Sequence, residues 1–145
     1  MIRSTAPASA DSPVAGAVVA LDAAAFAATI PNHPFAIIDF WAPWCAPCRS
    51  FAPVFEAAAA RHPDILFAKV DTEAEPAVAG SFGIRSIPTL MVFRENVVVF
   101  AQAGALPAAA LEQVVAAARA LDMDEVRREI EREAASGKAG TAAAT

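Results

Sequence analysis

The sequence predicts an α/β fold, a central mixed β-sheet flanked by helices on both faces, with a C-terminal helical extension. Three observations carry that expectation. Strand-like and helix-like patterns alternate along the chain in the order β-α-β-α-β-α-β-β-α. Phe35 to Trp41 is apolar apart from one acid, the pattern of a strand covered on both faces. Thr89 to Phe93 and Val97 to Ala101 are β-rich runs joined by the short polar stretch Arg94-Glu95-Asn96. They read as a hairpin closing the sheet, although the turn lacks a glycine.

The elements follow in order. Residues 1–13, rich in Ser, Thr and Pro, read as a disordered lead-in. Ala17 to Leu21 is a short strand, and Asp22 is placed to cap the alanine-rich helix after it. The strand Phe35 to Trp41 comes next. A helix is expected from Cys45 to Arg61, with Phe51, Phe55 and Ala58 spaced four and three apart and Pro53 kinking it. Ile65 to Val70 is the third strand, and Thr72 to Ala79 a short helix ending near Gly80. After the hairpin, Pro107 starts a helix whose apolar stripe is Leu111, Val114, Val115, Ala118 and Leu121. Residues 14–121 thus form one domain. Residues 122–145 form a charged helix with a flexible end, in which Asp122 and Glu125 have capping-box spacing and Gly137 is the stop.

The chain has 145 residues, enough for one domain that buries its own core without disulfide or metal staples. Its 57% hydrophobic content is swollen by alanine; the other hydrophobic residues are an ordinary amount for one core. No apolar run approaches the ~18 residues of a membrane span. A net charge of −5 with 11 scattered Lys and Arg argues against a nucleic-acid-binding module. A secretory signal around Val14 to Leu21 is disfavoured, because Arg3 is offset by Asp11 and cleavage would remove the first strand.

Both cysteines fall in Cys45-Ala46-Pro47-Cys48. Two cysteines at this spacing on a helix start can close a small disulfide ring. Cys45 on the opening turn lies among unpaired backbone N–H groups that favour its thiolate, the form that attacks a disulfide. Cys48 lies one turn along on the same side, placed to resolve a mixed disulfide, and Pro47 fits an early helical position. A zinc site using Cys45, Cys48 and His62 is the competing reading; it lacks a second histidine at zinc-finger spacing, since His33 lies upstream.

Asp39 stands in the apolar strand on the face of Ile37 and Trp41. It reads either as a solvent-facing acid on an edge strand or as a buried carboxyl with a raised pKa that exchanges protons with a cysteine. Lys69, near the end of the next strand, is a candidate partner or simply a solvated lysine. Pro88 opens the hairpin strand, where either peptide isomer is compatible with the sequence.

Residues 39–49, Asp-Phe-Trp-Ala-Pro-Trp-Cys-Ala-Pro-Cys-Arg, resemble the active-site segment of the thioredoxin family. Residues 82–90, Phe-Gly-Ile-Arg-Ser-Ile-Pro-Thr-Leu, resemble its second signature, and Gly104-Ala105-Leu106 a third segment. The resemblance spans roughly residues 14–121. It implies a thioredoxin fold and a general protein-disulfide reductase that cycles between dithiol and disulfide. Cys45 would be the exposed nucleophile, Cys48 the buried resolving thiol, Asp39 the buried acid assisting Cys48, and Lys69 its neighbour. Pro88 matches the family's cis-proline. Trp44, Pro47, Ile87, Pro88, Gly104 and Ala105 would border the groove for a client peptide, which docks partly as an added strand, while Trp41 packs or supports the site. No bound cofactor or metal is implied; an NADPH-dependent thioredoxin reductase would restore the dithiol of a monomeric, cytoplasmic protein with disulfide-containing clients.

Ala46 stands where the familiar reductase dipeptide has glycine, and Ser86 replaces a family glycine. Oxidising relatives carry histidine in the dipeptide, where this chain has Pro47, so a reducing poise is expected; each ~30 mV is tenfold in the equilibrium constant. Two other functions remain in view. One is an oxidant or isomerase of the same fold in an oxidising compartment. The other is a client-binding holdase using the thin apolar stripe Met123, Val126, Ile130 and Ala134. A solvated tail helix with pairs such as Asp124–Arg128, or one packed back on the domain, is the plainer reading of that stripe.

Overall fold

The computed structural model describes residues 15–136. The lead-in over residues 1–13, the stop at Gly137 and the end beyond it lie outside the described residues. Five strands form one sheet: β1 (Val18–Ala20), β2 (Phe35–Trp41), β3 (Leu66–Asp71), β4 (Thr89–Arg94) and β5 (Val97–Ala103). Their spatial order is β1-β3-β2-β4-β5. β3 runs parallel to β1 and β2, whereas β4 is antiparallel to β2 and β5. The sheet is mixed, as the alternation with a terminal hairpin predicts, and β2 lies at its centre. That position removes the edge-strand reading of Asp39.

The helices are α1 (Ala23–Thr29), α2 (Ala46–Arg61), α3 (Pro76–Ser81), α4 (Ala108–Ala120) and α5 (Met123–Ala135). Strand alternation sorts the side chains of β2 between two clusters. Phe35 and Ile37 join Phe51, Phe55, Leu111 and Val115 beneath α2 and α4. Ala36, Ile38 and Phe40 join Leu21, Ile30 and Val78 on the opposite face, with Phe26 and Phe82 packed alongside. Stacked layers of this kind explain why Phe35 to Trp41 needs almost no polar residue. Among the described residues, no helix is long and apolar enough to cross a membrane.

Several local features differ from the sequence expectations. The helix expected from Thr72 starts only at Pro76. The Asp71 carboxylate accepts the backbone N–H groups of Glu73 and Ala74, which holds residues 71–74 in a turn, and Pro76 then opens the helix. The hairpin turn is two residues rather than three, because Arg94 still pairs with Val97. Glu95 (φ 53°) and Asn96 (φ 66°) both take the left-handed conformation that a tight two-residue turn requires, without glycine. The Glu95 N–H donates to the Pro34 carbonyl at 2.8 Å, and its carboxylate pairs with Arg127 of α5, which holds this strained turn. Leu121, expected in the α4 stripe, is exposed.

Asp22 caps α1 through the Ala25 N–H. The Ala23 N–H finds its partner 52 residues away, in the Glu75 carboxylate. α2 continues through Pro53 for 16 residues. Asp122 caps α5 through the N–H groups of Asp124 and Glu125, but only this half of a capping box forms. Glu125 turns instead to Arg128 and Arg132, and Asp124 pairs with Arg127 rather than with Arg128. Met123 is buried, whereas Ile130 keeps 46% exposure. The contrast yields a stability expectation. Phe55→Ala, which empties the centre of the Phe51–Phe55–Phe67 ring contacts, should cost about 3–5 kcal/mol, against less than about 0.5 kcal/mol for Ile130→Ala. Urea unfolding of the two variants measures it, and equal losses would contradict this packing.

Candidate active site

Cys45 is the N-cap of α2, with extended backbone, and its sulfur accepts the Cys48 N–H at 3.2 Å. A cap needs a side chain that leaves the helix direction and takes up an orphan N–H, and here sulfur does so. Ala46 and Pro47 occupy the first helical positions, where proline's missing N–H costs nothing. The two cysteines are joined as a disulfide with Cα atoms 5.2 Å apart. Reduced, Cys45 would carry its charge against the positive end of a 16-residue helix.

The loop ahead of the disulfide is tied from several sides. The Cys45 N–H donates to the Ala42 carbonyl, the Thr72 N–H and hydroxyl both donate to the Trp41 carbonyl, and Arg49 donates to the Pro43 carbonyl at 3.0 Å. Trp44 is 62% exposed, and its indole N–H donates to the Glu73 carboxylate. The sequence pattern assigns neither Thr72 nor Glu73 a place at the site. Both sit in the segment expected to begin a helix, and only the Asp71 turn brings them to the loop.

Ala42, Cys45 and Cys48 form a small buried cluster, with Trp41 and Ile87 packed against it. The Ile87–Pro88 bond is cis, and the Cys45 sulfur lies 3.7 Å from the Ile87 carbonyl oxygen. The Pro88 carbonyl accepts the Gly104 N–H at 2.7 Å, and Gly104 has φ 103°, a conformation suited to glycine. Pro47, Gly104 and Ala105 are exposed, Ile87 is half-buried, and Pro88 is buried. One expectation needs correction. Cys45 is not exposed; in this disulfide it retains only 3% against 1% for Cys48, because Trp41, Ala42 and Ile87 close around it.

Asp39 is 4% exposed, in the central strand on the α2 face, and its Oδ1 is buried without a hydrogen-bond partner among the described residues. Loss of water pushes its pKa up from 3.8 to about 7, and the Lys69 ammonium pulls the other way. Lys69 is its register partner on β3 and places its Nζ 4.7 Å from the centre of the half-buried Trp41 ring. His62 does not join the cysteines. It caps the opposite end of α2 and contacts Glu112 and Arg119, so the zinc ligand set is not assembled.

A disulfide on a helix N-terminus beside a cis-proline, in a domain that also buries an acid in its central strand, defines a thiol–disulfide oxidoreductase. Residues 17–117 match the thioredoxin family model. A Streptomyces coelicolor protein bearing the name thioredoxin 2 is 58% identical over 113 residues, 77% of this chain and 84% of its own. Spinach chloroplast thioredoxin f in its short form is similar at TM-score 0.69 and 28% identity, over 75% of this chain and 99% of that one. Thioredoxin f2 in a complex with ferredoxin:thioredoxin reductase is similar at TM-score 0.68 and 26% identity, over 74% and 99%. The chain belongs to the thioredoxin family, and its activity is that of a thioredoxin-type protein-disulfide reductase.

The Asp39 carboxyl makes stability depend on pH. Below about pH 4 it is neutral in both folded and unfolded chains. Between about pH 4 and 7 the unfolded chain ionises while the folded one holds its proton, so stability falls as pH rises; above about 7 the full cost persists. Asp39→Asn should remove this slope and exceed the wild type at pH 8 by on the order of 2–4 kcal/mol, with little difference near pH 4. Urea unfolding of both proteins at pH 4 and pH 8 tests it; parallel pH profiles would count against a buried, raised carboxyl.

Proposed function

We propose that the reductase cycle runs through Cys45 as nucleophile and Cys48 as resolving thiol, with Asp39 moving the proton. The observation that carries this reading is the Cys45 sulfur at the start of α2, taking the Cys48 N–H at 3.2 Å while bonded to the Cys48 sulfur. In the reduced protein the Cys45 thiolate attacks one sulfur of a client disulfide. A Cys45–client bond forms as the client S–S bond breaks, and the client's second sulfur leaves as a thiolate. Cys48 then gives its proton to the Asp39 carboxylate and attacks the Cys45 sulfur. The internal disulfide forms, the client's first sulfur is released, and two electrons have passed to the client. A carboxyl with a pKa of about 7 can take up that proton near neutral pH and return it when the disulfide is reduced again.

Lys69 sits opposite Asp39 in the strand pair and favours the carboxylate, which supports a role in tuning this proton acceptor. Clients would dock over Trp44, Pro47, Ile87, Pro88, Gly104 and Ala105, with backbone pairing along this edge. The domain doing this work is taken as residues 14–121, with α5 as an appendage. The similarity to the reductase-bound thioredoxin f2 supports a dedicated reductase as electron donor; we propose an NADPH-dependent one, acting in the cytoplasm on a monomer.

Cys48→Ser should leave Cys45 able to attack but not to be displaced, so mixed disulfides with protein clients should accumulate on non-reducing gels and vanish with dithiothreitol. Their absence, where a known trapping variant yields them, would overturn the assignment of roles. The Cys45–Cys48 couple should equilibrate on the reducing side, more negative than about −200 mV. A distinctly less negative value in glutathione buffers would favour the oxidant or isomerase reading instead.

A further inference from the structure

Beyond the disulfide, β5 and α4 border a groove of about 410 Å³ lined by residues that include Val99, Phe100, Leu106, Val114 and Leu121. Its apolar floor comes from a β-bulge. Val92 pairs with Phe100 while Phe93 pairs with Val98, so Val99 is an extra residue in the register. Val99 and Phe100, which strict alternation would send to opposite faces, both pack against the cluster beneath α2 and α4. The α4 wall is neutral. Ala110, Gln113 and Ala117 line it, whereas Glu112 and Arg119 of the same helix turn to Arg61, His62 and Asp64. Among the described residues, none that lines the groove is charged.

The groove begins beside the proposed client edge. Gly104 is bonded to the Pro88 carbonyl, the Cys45 sulfur lies 3.7 Å from the Ile87 carbonyl, and Leu106 follows Gly104 by two residues. Its near end is therefore within about 7 Å of that edge. From Ala110 to Leu121 the helix and its cap advance about 16 Å, the span of about five extended residues. A segment docked at the client edge before attack is held close to the groove, so even shallow burial of its apolar side chains there adds to its affinity.

We propose that this groove receives the chain segment flanking a client's target cysteine, an extended stretch of about five residues with apolar side chains. The proposal rests on clients docking at Ile87, Pro88, Gly104 and Ala105. Two synthetic disulfide peptides of equal length test it, one with leucine and one with serine at alternate positions on both sides of the cysteine, beside the small probe bis(2-hydroxyethyl) disulfide. For the wild type, the leucine peptide should show a KM about tenfold lower, with kcat within about twofold. Ala117→Glu, which places a charge in the groove, should abolish that preference when each rate is taken relative to the same protein's rate on the small probe. Ala116→Glu, exposed on the same helix but outside the lining, should retain the preference and the basal activity. Equal KM values for the two peptides, or the same loss in Ala116→Glu, would overturn the proposal. Failure of the wild type on the small probe would instead overturn the thiol chemistry. A dimer in sedimentation that Ala117→Glu dissociates would assign the groove to a second copy and likewise overturn it.

Discussion

The hydrogen bond from the Cys48 N–H to the Cys45 sulfur sets the terms for everything around it. For sulfur to cap a helix, the chain must leave β2, turn sharply and enter α2 with Cys45 still extended, and Pro47 must fall where no N–H is needed. The ties that hold this turn come from distant segments. Thr72 grips the Trp41 carbonyl and Glu73 holds the Trp44 indole, both delivered by the Asp71 turn after β3. The sulfur's setting is thus a property of the helix end and the loop together. The cysteine pair alone does not provide it.

The same geometry places a liability at the centre of the sheet. Asp39 occupies a position where Ile37 and its neighbours are fully packed, and its carboxyl has lost water without gaining a hydrogen bond to Oδ1 among the described residues. A domain holds such a group only when the surrounding packing is secure. The two phenylalanine-rich clusters on either face of β2 supply that security, and Lys69 offsets part of the charge cost. In the proposed cycle that cost serves proton transfer, since a carboxyl that titrates near neutrality can trade a proton with a thiol in both directions.

The two ends of the molecule are organised differently. Around the disulfide, charged side chains act singly on loop atoms, Arg49 on the Pro43 carbonyl and Glu73 on the Trp44 indole. At the opposite end, Arg61, His62, Asp64, Glu112 and Arg119 form a linked network, and α5 clamps the β4–β5 turn through Arg127 and Glu95. Drawing the charges of α4 toward α2 leaves its other side neutral, facing β5. One surface is therefore polar and self-satisfied, while the other carries an apolar groove between β5 and α4.

Element type and reactive pair were legible in the sequence because each rests on short-range rules. These are hydrophobic period for β2, α2 and α4, cap chemistry for Asp22 and Asp122, and spacing for Cys45 and Cys48. The features that escaped it depend on which polar atoms and strand registers meet in space, whether across the chain or within one turn. Glu75 completes the cap of α1 across 52 residues. The Asp71 turn delays α3 and turns Glu73 toward Trp44, and the β5 bulge puts Val99 beside Phe100. Period two could not say whether Asp39 faced solvent or the core, since that depends on which strands lie on either side of β2. The amino-acid order by itself determined where a reactive sulfur could form. Only the tertiary structure decided how tightly Cys45 is enclosed and which carboxyl loses its water, because burial is set by neighbours that local pattern does not encode.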